Sequence, residues 1–287
     1  MGVVEYHQYA DDTQLYMRLS PGLKNINTLS KCADSVAIWF LQNGLKLNPS
    51  KTESILFGTA QRLKTTATPK PTLECLGVPI AFADSVHILG VTLDNALTLN
   101  KHVTKIVSSC NYHIRALKHI RSNLTHDAAV AIACSLVNTR LDYCNSLLVS
   151  TSLQNITRLQ RVQNNLARAV LTLRRHESIR HHIRALHWLP VNERIIYKIA
   201  VITYIALNTG QPSYLANCLV KHAPARLLRS NSMFMLQLPL CSIKSADSAF
   251  QFSAPKVWNS LSDHTKSAVS LEVFKSRLKT ELFTRSG

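Results

Sequence analysis

Acidic side chains are scarce in this chain. Its 287 residues include 16 Asp and Glu against 33 Lys and Arg, so the net charge is +17 with neutral histidines. A surplus of this size favours partners that are rich in phosphate, although a generic basic protein would have the same composition. The apolar fraction of 46% excludes a disordered chain and is sufficient for a buried core and two or three sub-domains.

Cysteine pairs with metal-ligand or redox spacing are also missing. The seven cysteines are scattered, and no Cys-x-x-Cys occurs. Their odd number argues against a disulfide framework and favours a reducing compartment. Cys110 and His113 lie close in sequence but have no further partners, so chance explains them better than a metal site.

Long hydrophobic runs are absent as well. Glu5, His7 and two aspartates interrupt the N-terminal segment, which therefore does not read as a signal peptide. The most apolar window, Ile195 to Leu207, contains Lys198 and is too short to span a bilayer. The sequence predicts an intracellular protein, nuclear or cytoplasmic, without a membrane partner.

Two adjacent carboxylates, Asp11 and Asp12, stand between segments that are typical of β-strands. Residues 3–9 are rich in β-branched and aromatic side chains, and Leu15, Met17 and Leu19 alternate with polar neighbours. Carboxylates at the tip of such a hairpin are suited to Mg²⁺, which takes few protein ligands, all oxygens. The competing interpretation is an ordinary turn, because Asp favours turns for reasons of its own backbone.

Five segments together resemble the reverse transcriptases of non-LTR (LINE-type) retrotransposons, in particular the jockey and chicken-repeat group. They keep the order of that family over nearly the whole chain. The segments are Tyr9-Ala10-Asp11-Asp12-Thr13-Gln14-Leu15-Tyr16, Gly44 to Glu53, Ile88 to Asp94, Arg140 to Leu148, and Ala254 to Leu261.

The resemblance implies an α+β fold in three parts. Residues 1–95 would form a partial polymerase palm of antiparallel hairpins and one helix, residues 96–187 a basic helical thumb, and residues 188–287 a helical and irregular C-terminal region. Asp11 and Asp12 would be catalytic and would bind Mg²⁺. Lys51 would assist the departure of pyrophosphate, unless it is merely a solvated turn lysine.

The resemblance also implies an RNA template and a DNA primer as partners. The second hairpin would grip the primer strand, and Gly90 would let the backbone of that strand come close. The alternative is that Gly90 only occupies a kink in a β-strand. The charge-biased helices would contact phosphates, and the alternative is a solvated helix face. The candidate nucleic-acid-binding cations are Lys105, Arg115, Lys118, Arg158, Arg161, Arg168, Arg174 and Arg175.

The chain departs from this family in its catalytic carboxylates. In the family a third catalytic carboxylate lies upstream of the Tyr-Ala-Asp-Asp turn, and so do the fingers and an endonuclease. Glu5 is the only acidic residue before Asp11, and it is on the wrong strand to replace that ligand. We therefore expect the chain to correspond to the C-terminal part of such an enzyme and to be inactive by itself. The alternatives are a truncated or domesticated nucleic-acid-binding remnant without catalysis, and a translation product without function.

Hydrophobic periodicity predicts several further elements. Residues 28–43 should form an amphipathic helix, a strand beginning at Leu45 should pair with residues 53–57, and residues 59–73 should form a loop. A second hairpin should turn at Ala83-Asp84-Ser85, and one helix should run from Thr125 to about Leu148. Residues 209–250 read as irregular. A helical stripe of apolar residues should be formed by Leu99, Val103, Ile106, Cys110, Ile114, Leu117 and Ile120. Core positions should be occupied by Trp258, Leu271, Phe274, Leu278 and Leu282.

Overall fold

The computed structural model describes residues 3–19, 25–48, 51–65, 72–174, 176–222, 235–240 and 247–285. The chain separates into two compact units, Met1–Thr98 and Leu99–Gly287. The first unit contains all the named strands together with two helices. The described residues of the second unit form helices and loops with one isolated bridge. This mixture of helices and small sheets is compatible with the predicted α+β class, while the assignment of palm and thumb remains a prediction.

The strands of the first unit form four separate two-stranded sheets among the described residues. Three sheets are antiparallel hairpins, β1–β2, β4–β5 and β7–β8, and the fourth pairs β3 with β6 in parallel. The strands are β1 Glu5–Tyr9, β2 Asp12–Tyr16, β3 Ser54–Ile55, β4 Leu73–Cys75, β5 Val78–Ile80, β6 Phe82–Ala83, β7 Ser85–Ile88 and β8 Val91–Asp94.

Two predictions about pairing were wrong. Leu45 lies in irregular backbone, and the strand at 54–55 pairs in parallel with Phe82–Ala83. The second hairpin turns at Leu89-Gly90, where φ is 44° and 80°, and not at residues 83–85. Two consecutive positive φ values suit the right-handed twist of a hairpin, and glycine adopts them without steric cost.

The predicted helix at 28–43 is confirmed as α1, which spans Ile26–Gln42. Ile26 and Ala37 pack with buried residues of β4 and β5 into a small core. Asp34 links the helix to the same hairpin, since its Oδ1 accepts a hydrogen bond of 2.6 Å from the Leu76 amide. The predicted loop at 59–73 instead begins with a short helix, α2, over Ala60–Thr65, and residues 66–71 lie outside the described part.

The second unit contains ten α-helices among its described residues. They are α3 Asn100–Ile120, α4 His126–Ala133, α5 Thr139–Asp142, α6 Leu153–Leu171, α7 Arg180–Ala185, α8 Val191–Thr209, α9 Ser213–Ala216, α10 Phe250–Ser260, α11 Asp263–Lys266 and α12 Leu271–Arg285. None of the helices in the described residues has the length and apolar character that crossing a bilayer requires.

Helices α3 and α6 pack side by side and run in the same direction. At their N-termini Asn155 Nδ2 donates to Asn100 Oδ1 at 2.8 Å, and at their C-termini Arg121 Nε donates to the Val170 carbonyl at 2.7 Å. The apolar stripe predicted for α3 is largely confirmed, because Val103, Cys110 and other members of the stripe are buried. Their burial leaves the opposite face of α3 in solvent.

The single helix predicted from Thr125 to Leu148 was wrong. Thr125 does cap a helix, since its side chain accepts from the Ala128 amide, but α4 ends at Ala133. A π-helical turn over Cys134–Asn138, the short α5 and a left-handed Cys144 (φ 50°) follow. Breaks in hydrogen-bond register of this kind leave the apolar periodicity almost unchanged, so the pattern does not reveal them.

The segment Arg140 to Leu148 has a structural role in the second unit. Arg140 Nε donates to Ser109 Oγ of α3 at 3.1 Å, and Asp142 Oδ2 accepts from Arg194 Nη1 of α8 at 2.9 Å. Arg194 Nε also donates to the Leu189 carbonyl at 2.8 Å. These polar contacts fix three helices against one another without involving any of the candidate site residues.

Trp258 and Phe274 are core residues, as predicted. Phe274 is fully buried and stacks on Tyr204 and Trp258, with ring centroids 4.3 and 5.9 Å apart. Leu278 and Leu282 of α12 are also fully buried. Of residues 209–250, which were predicted to be irregular, 223–234 and 241–246 lie outside the described part, and the rest includes the short α9.

Candidate active site and nucleic-acid interface

The Asp11-Asp12 pair lies at the tip of the first hairpin, as the sequence predicts. Tyr9 is paired with Asp12 in the strand register, which leaves Ala10 and Asp11 as the two turn residues. Ala10 has a φ of 52°, a left-handed value that is unusual for a residue with a Cβ atom. Gln8 Nε2 donates to the Ala10 carbonyl at 3.2 Å and so supports the turn.

Both carboxylates are exposed, and so is every residue of β1. Two adjacent carboxylates fit Mg²⁺, which binds through one or two of them and keeps water and substrate phosphates in its remaining positions. Within the described residues, no group of three or more His, Cys, Asp or Glu side chains is arranged to hold a metal. Two carboxylates alone would supply only part of a metal-binding centre, and a metal role for Asp11 and Asp12 stays a prediction.

Glu5 is far from this tip. It is paired with Tyr16 at the open end of the hairpin, four residues before Tyr9. A strand rises about 3.3 Å per residue, which places Glu5 roughly 13 Å from Tyr9 along the strand. Partial desolvation and the Glu5 carboxylate raise the pKa of the Tyr16 phenol. Glu5 thus interacts with Tyr16 and does not contribute a third carboxylate.

The other candidates of the first unit are Lys51 and Gly90. Lys51 is exposed, and its amide donates to the Asn48 carbonyl at 3.1 Å. Gly90 is exposed and occupies the second turn position between β7 and β8. Its positive φ explains why glycine occurs there, and a role towards a primer strand stays a prediction.

Helix α3 carries an exposed row of cations. Lys105, Arg115 and Lys118 are all exposed, and neither α3 nor α6 contains an Asp or Glu. Ion pairs such as Asp142–Arg194 and Lys256–Asp247 involve other helices. A positive helix surface without carboxylates is suited to phosphate groups.

The predicted arginines of α6 differ in their surroundings. Arg161 is exposed, whereas Arg158 and Arg168 are half-buried. Arg158 Nη2 donates to Thr104 Oγ1 of α3 at 2.8 Å, and its Nη1 donates to Asn155 Oδ1 at 3.3 Å. Arg168 Nη2 donates to the Glu177 carbonyl at 3.2 Å. Two of the three arginines therefore stabilise the fold through contacts of their own.

The remaining candidates follow the end of α6. Arg174 is exposed, and its amide donates to Glu177 Oε1 at 2.7 Å. Arg175 lies outside the described residues. Sequence reasoning missed Tyr112, an aromatic residue that is 65% exposed on the same face of α3 as the cations. Its spacing from Lys105 and Arg115, seven and three residues, is the signal that could have identified it.

Comparisons with known proteins give one distant relative. Over 165 residues the chain is 27% identical to a probable RNA-directed DNA polymerase from transposon BS of Drosophila melanogaster. The similarity covers 56% of this chain and 18% of the relative, so the chain spans less than a fifth of that protein's length. No family model matches the chain, and no solved structure matches it.

Proposed function

We propose that the chain is the C-terminal part of a reverse transcriptase of the non-LTR retrotransposon type. The first unit would be part of the palm, and the helices from α3 onward would include the thumb. The observation that carries this proposal is the pair of exposed carboxylates at the tip of an antiparallel hairpin. The distant similarity to a transposon polymerase supports it.

In this proposal Asp11 and Asp12 would together hold Mg²⁺. The bound ion would stabilise negative charge on the phosphate oxygens during nucleotide transfer. Lys51 is exposed, and its ammonium group would neutralise the departing pyrophosphate. The exposed cations of α3 and α6 would bind the phosphate backbones of the RNA template and the DNA primer.

We expect the chain to lack polymerase activity by itself, because the described residues provide no third carboxylate near Asp11 and Asp12. The test is primer extension on an RNA template with Mg²⁺, using the full chain and an Asp11→Asn/Asp12→Asn variant. The expected result is no incorporation by either protein, although both bind the primer–template. Incorporation by the wild type that the variant lacks would show that a complete metal site assembles, and would refute the expectation.

The proposed binding of metal by Asp11 and Asp12 can be tested by a measurement that does not depend on polymerase activity. Mn²⁺ can replace Mg²⁺, and electron paramagnetic resonance detects its binding in the presence of primer–template. We expect the wild type to bind Mn²⁺ and the double Asn variant to lose that binding. Equal binding by both proteins would contradict a metal role for the pair.

A second candidate is a nucleic-acid-binding remnant without chemistry, and the acid-free exposed surface of α3 favours it independently. Such a protein would bind RNA or DNA with little sequence preference and with strong dependence on salt. Its affinity would survive the loss of both aspartates, and it would show no Mn²⁺ site that depends on them.

A further inference from the structure

The exposed face of α3 combines one aromatic ring with several cations. Residues on the same face recur every three or four positions, and each residue adds about 1.5 Å along the axis. Lys105 therefore lies roughly 10 Å before Tyr112 along the helix axis, and Arg115 lies roughly 5 Å after it. His119, one further turn along, is also exposed.

The position of the Tyr112 ring is constrained by its neighbour. The His113 ring meets it edge-on, with centroids 5.2 Å apart and an interplanar angle of 82°. His113 is half-buried, and burial together with the Arg140 charge lowers its pKa. Tyr112 remains 65% exposed beside this contact.

An exposed aromatic ring contributes a different interaction from the cations on either side of it. Lys105 and Arg115 attract any polyanion, whereas an aromatic face can stack on a nucleobase. The bases of a duplex are already stacked on each other, but those of a single strand are free to stack on a side chain. Stacking on the Tyr112 ring would therefore favour single strands over duplexes, whereas the cations attract both.

We infer that the outer face of α3 is a binding site for single-stranded nucleic acid, in which an unpaired base stacks on Tyr112 and flanking phosphates contact Lys105 and Arg115. The inference rests on the proposed nucleic-acid binding and specifies the strand state that the helix recognises. Tyr112 is a binding residue in this arrangement and takes no part in the chemistry at Asp11 and Asp12.

The test measures fluorescence anisotropy of labelled oligothymidine, of a duplex of equal length and of heparin, with the full chain. Tyr112→Ala should weaken oligothymidine binding between about 5-fold and 160-fold, the usual range for loss of one base–aromatic stack. Duplex and heparin affinity should stay nearly unchanged, because all the cations remain. Tyr112→Phe should bind like the wild type, because stacking does not need the hydroxyl group.

The matched control is Tyr214→Ala, because Tyr214 is a similarly exposed tyrosine, 70% exposed, on a different helix, α9. We expect this change to leave all three affinities unchanged. A Tyr112→Ala protein that binds oligothymidine like the wild type overturns the inference, and so does equal weakening towards heparin. Wild-type protein that binds neither nucleic acid would refute the proposed binding function itself, so the two failures are distinguishable.

A second measurement locates the contact directly. Ultraviolet irradiation of the complex with bromodeoxyuridine-substituted single strands should crosslink Tyr112, and mass spectrometry identifies the modified peptide. Crosslinks confined to peptides outside α3 would overturn the inference.

Discussion

The two arginines at positions 158 and 161 offer a sharp test, because they lie one turn apart on α6 in different surroundings. Arg158 bridges to Thr104 on α3 through a 2.8 Å hydrogen bond, whereas Arg161 is exposed. We therefore expect Arg158→Ala to reduce stability and Arg161→Ala to reduce nucleic-acid binding. Each variant is the matched control for the other.

The expected size of the stability effect follows from the two hydrogen bonds that Arg158 donates. A hydrogen bond from a charged group contributes about 1.5–3 kcal/mol when buried, but the Arg158 side chain is only half-buried and solvent weakens both bonds. We expect Arg158→Ala to lower the free energy of unfolding by about 1–2 kcal/mol. In a domain of this size, each kcal/mol shifts Tm by about 2–4 °C, so Tm should fall by roughly 2–8 °C.

The binding effect is measured as the dependence of affinity on salt. Removing one cation that contacts a duplex phosphate reduces the slope of log K against log salt by about 0.9. Arg161→Ala should flatten the slope by that amount at unchanged Tm, and Arg158→Ala should lower Tm at unchanged slope. Arg158→Lys should keep the slope and lose part of the stability, since a single ammonium cannot reproduce the fork of the guanidinium.

The reverse pattern would refute this reasoning. A flattened slope without a loss of Tm in Arg158→Ala would mean that this arginine faces nucleic acid and that its bond to Thr104 contributes nothing. An unchanged slope in Arg161→Ala would mean that its guanidinium is only solvated.

Two further predictions concern the stability of the second unit. Phe274→Ala should cost about 3–5 kcal/mol, measured by urea unfolding, because the ring is fully buried between Tyr204 and Trp258, and Phe274→Leu should cost clearly less. Burial tends to raise the pKa of Glu281, but hydrogen bonds from Thr265 and Ser262 and the Arg285 charge outweigh it and hold the pKa below its usual value. This group therefore stabilises the fold above about pH 4.3, and the contribution is lost as pH falls through the lowered pKa, so acid titration of Glu281→Gln should show a smaller loss of stability.

The elements that could be predicted from sequence are those whose signal is local. The Asp11-Asp12 hairpin, α1 and the buried stripe of α3 follow from periodicities of two and of 3.6 residues. The parallel pairing of β3 with β6 could not be predicted, because each strand has two residues and the two lie far apart in the chain. The turn at Leu89-Gly90 was missed because Leu is an unusual residue at a left-handed turn position.

The candidate site shows the same limit. Residue type selected Asp11, Asp12 and the cationic helices as candidates, but it could not separate exposed arginines from hydrogen-bonded ones. Arg158 donates a hydrogen bond to Thr104 on α3. The sequence around these two residues does not indicate that α3 packs against α6. Tyr112 was missed for a related reason, since an aromatic residue on a helix is more often buried than exposed.

The separation of charge between the two units argues for a division of function. The adjacent carboxylates belong to the first unit, and the acid-free helices α3 and α6 belong to the second. Carboxylates repel phosphate unless a cation lies between them, so a hairpin tip with two aspartates would contribute to the proposed nucleic-acid binding only when metal is present. The cationic helices would bind phosphate without metal. Affinity without Mg²⁺ should therefore come from the second unit, and any additional affinity in its presence should depend on Asp11 and Asp12.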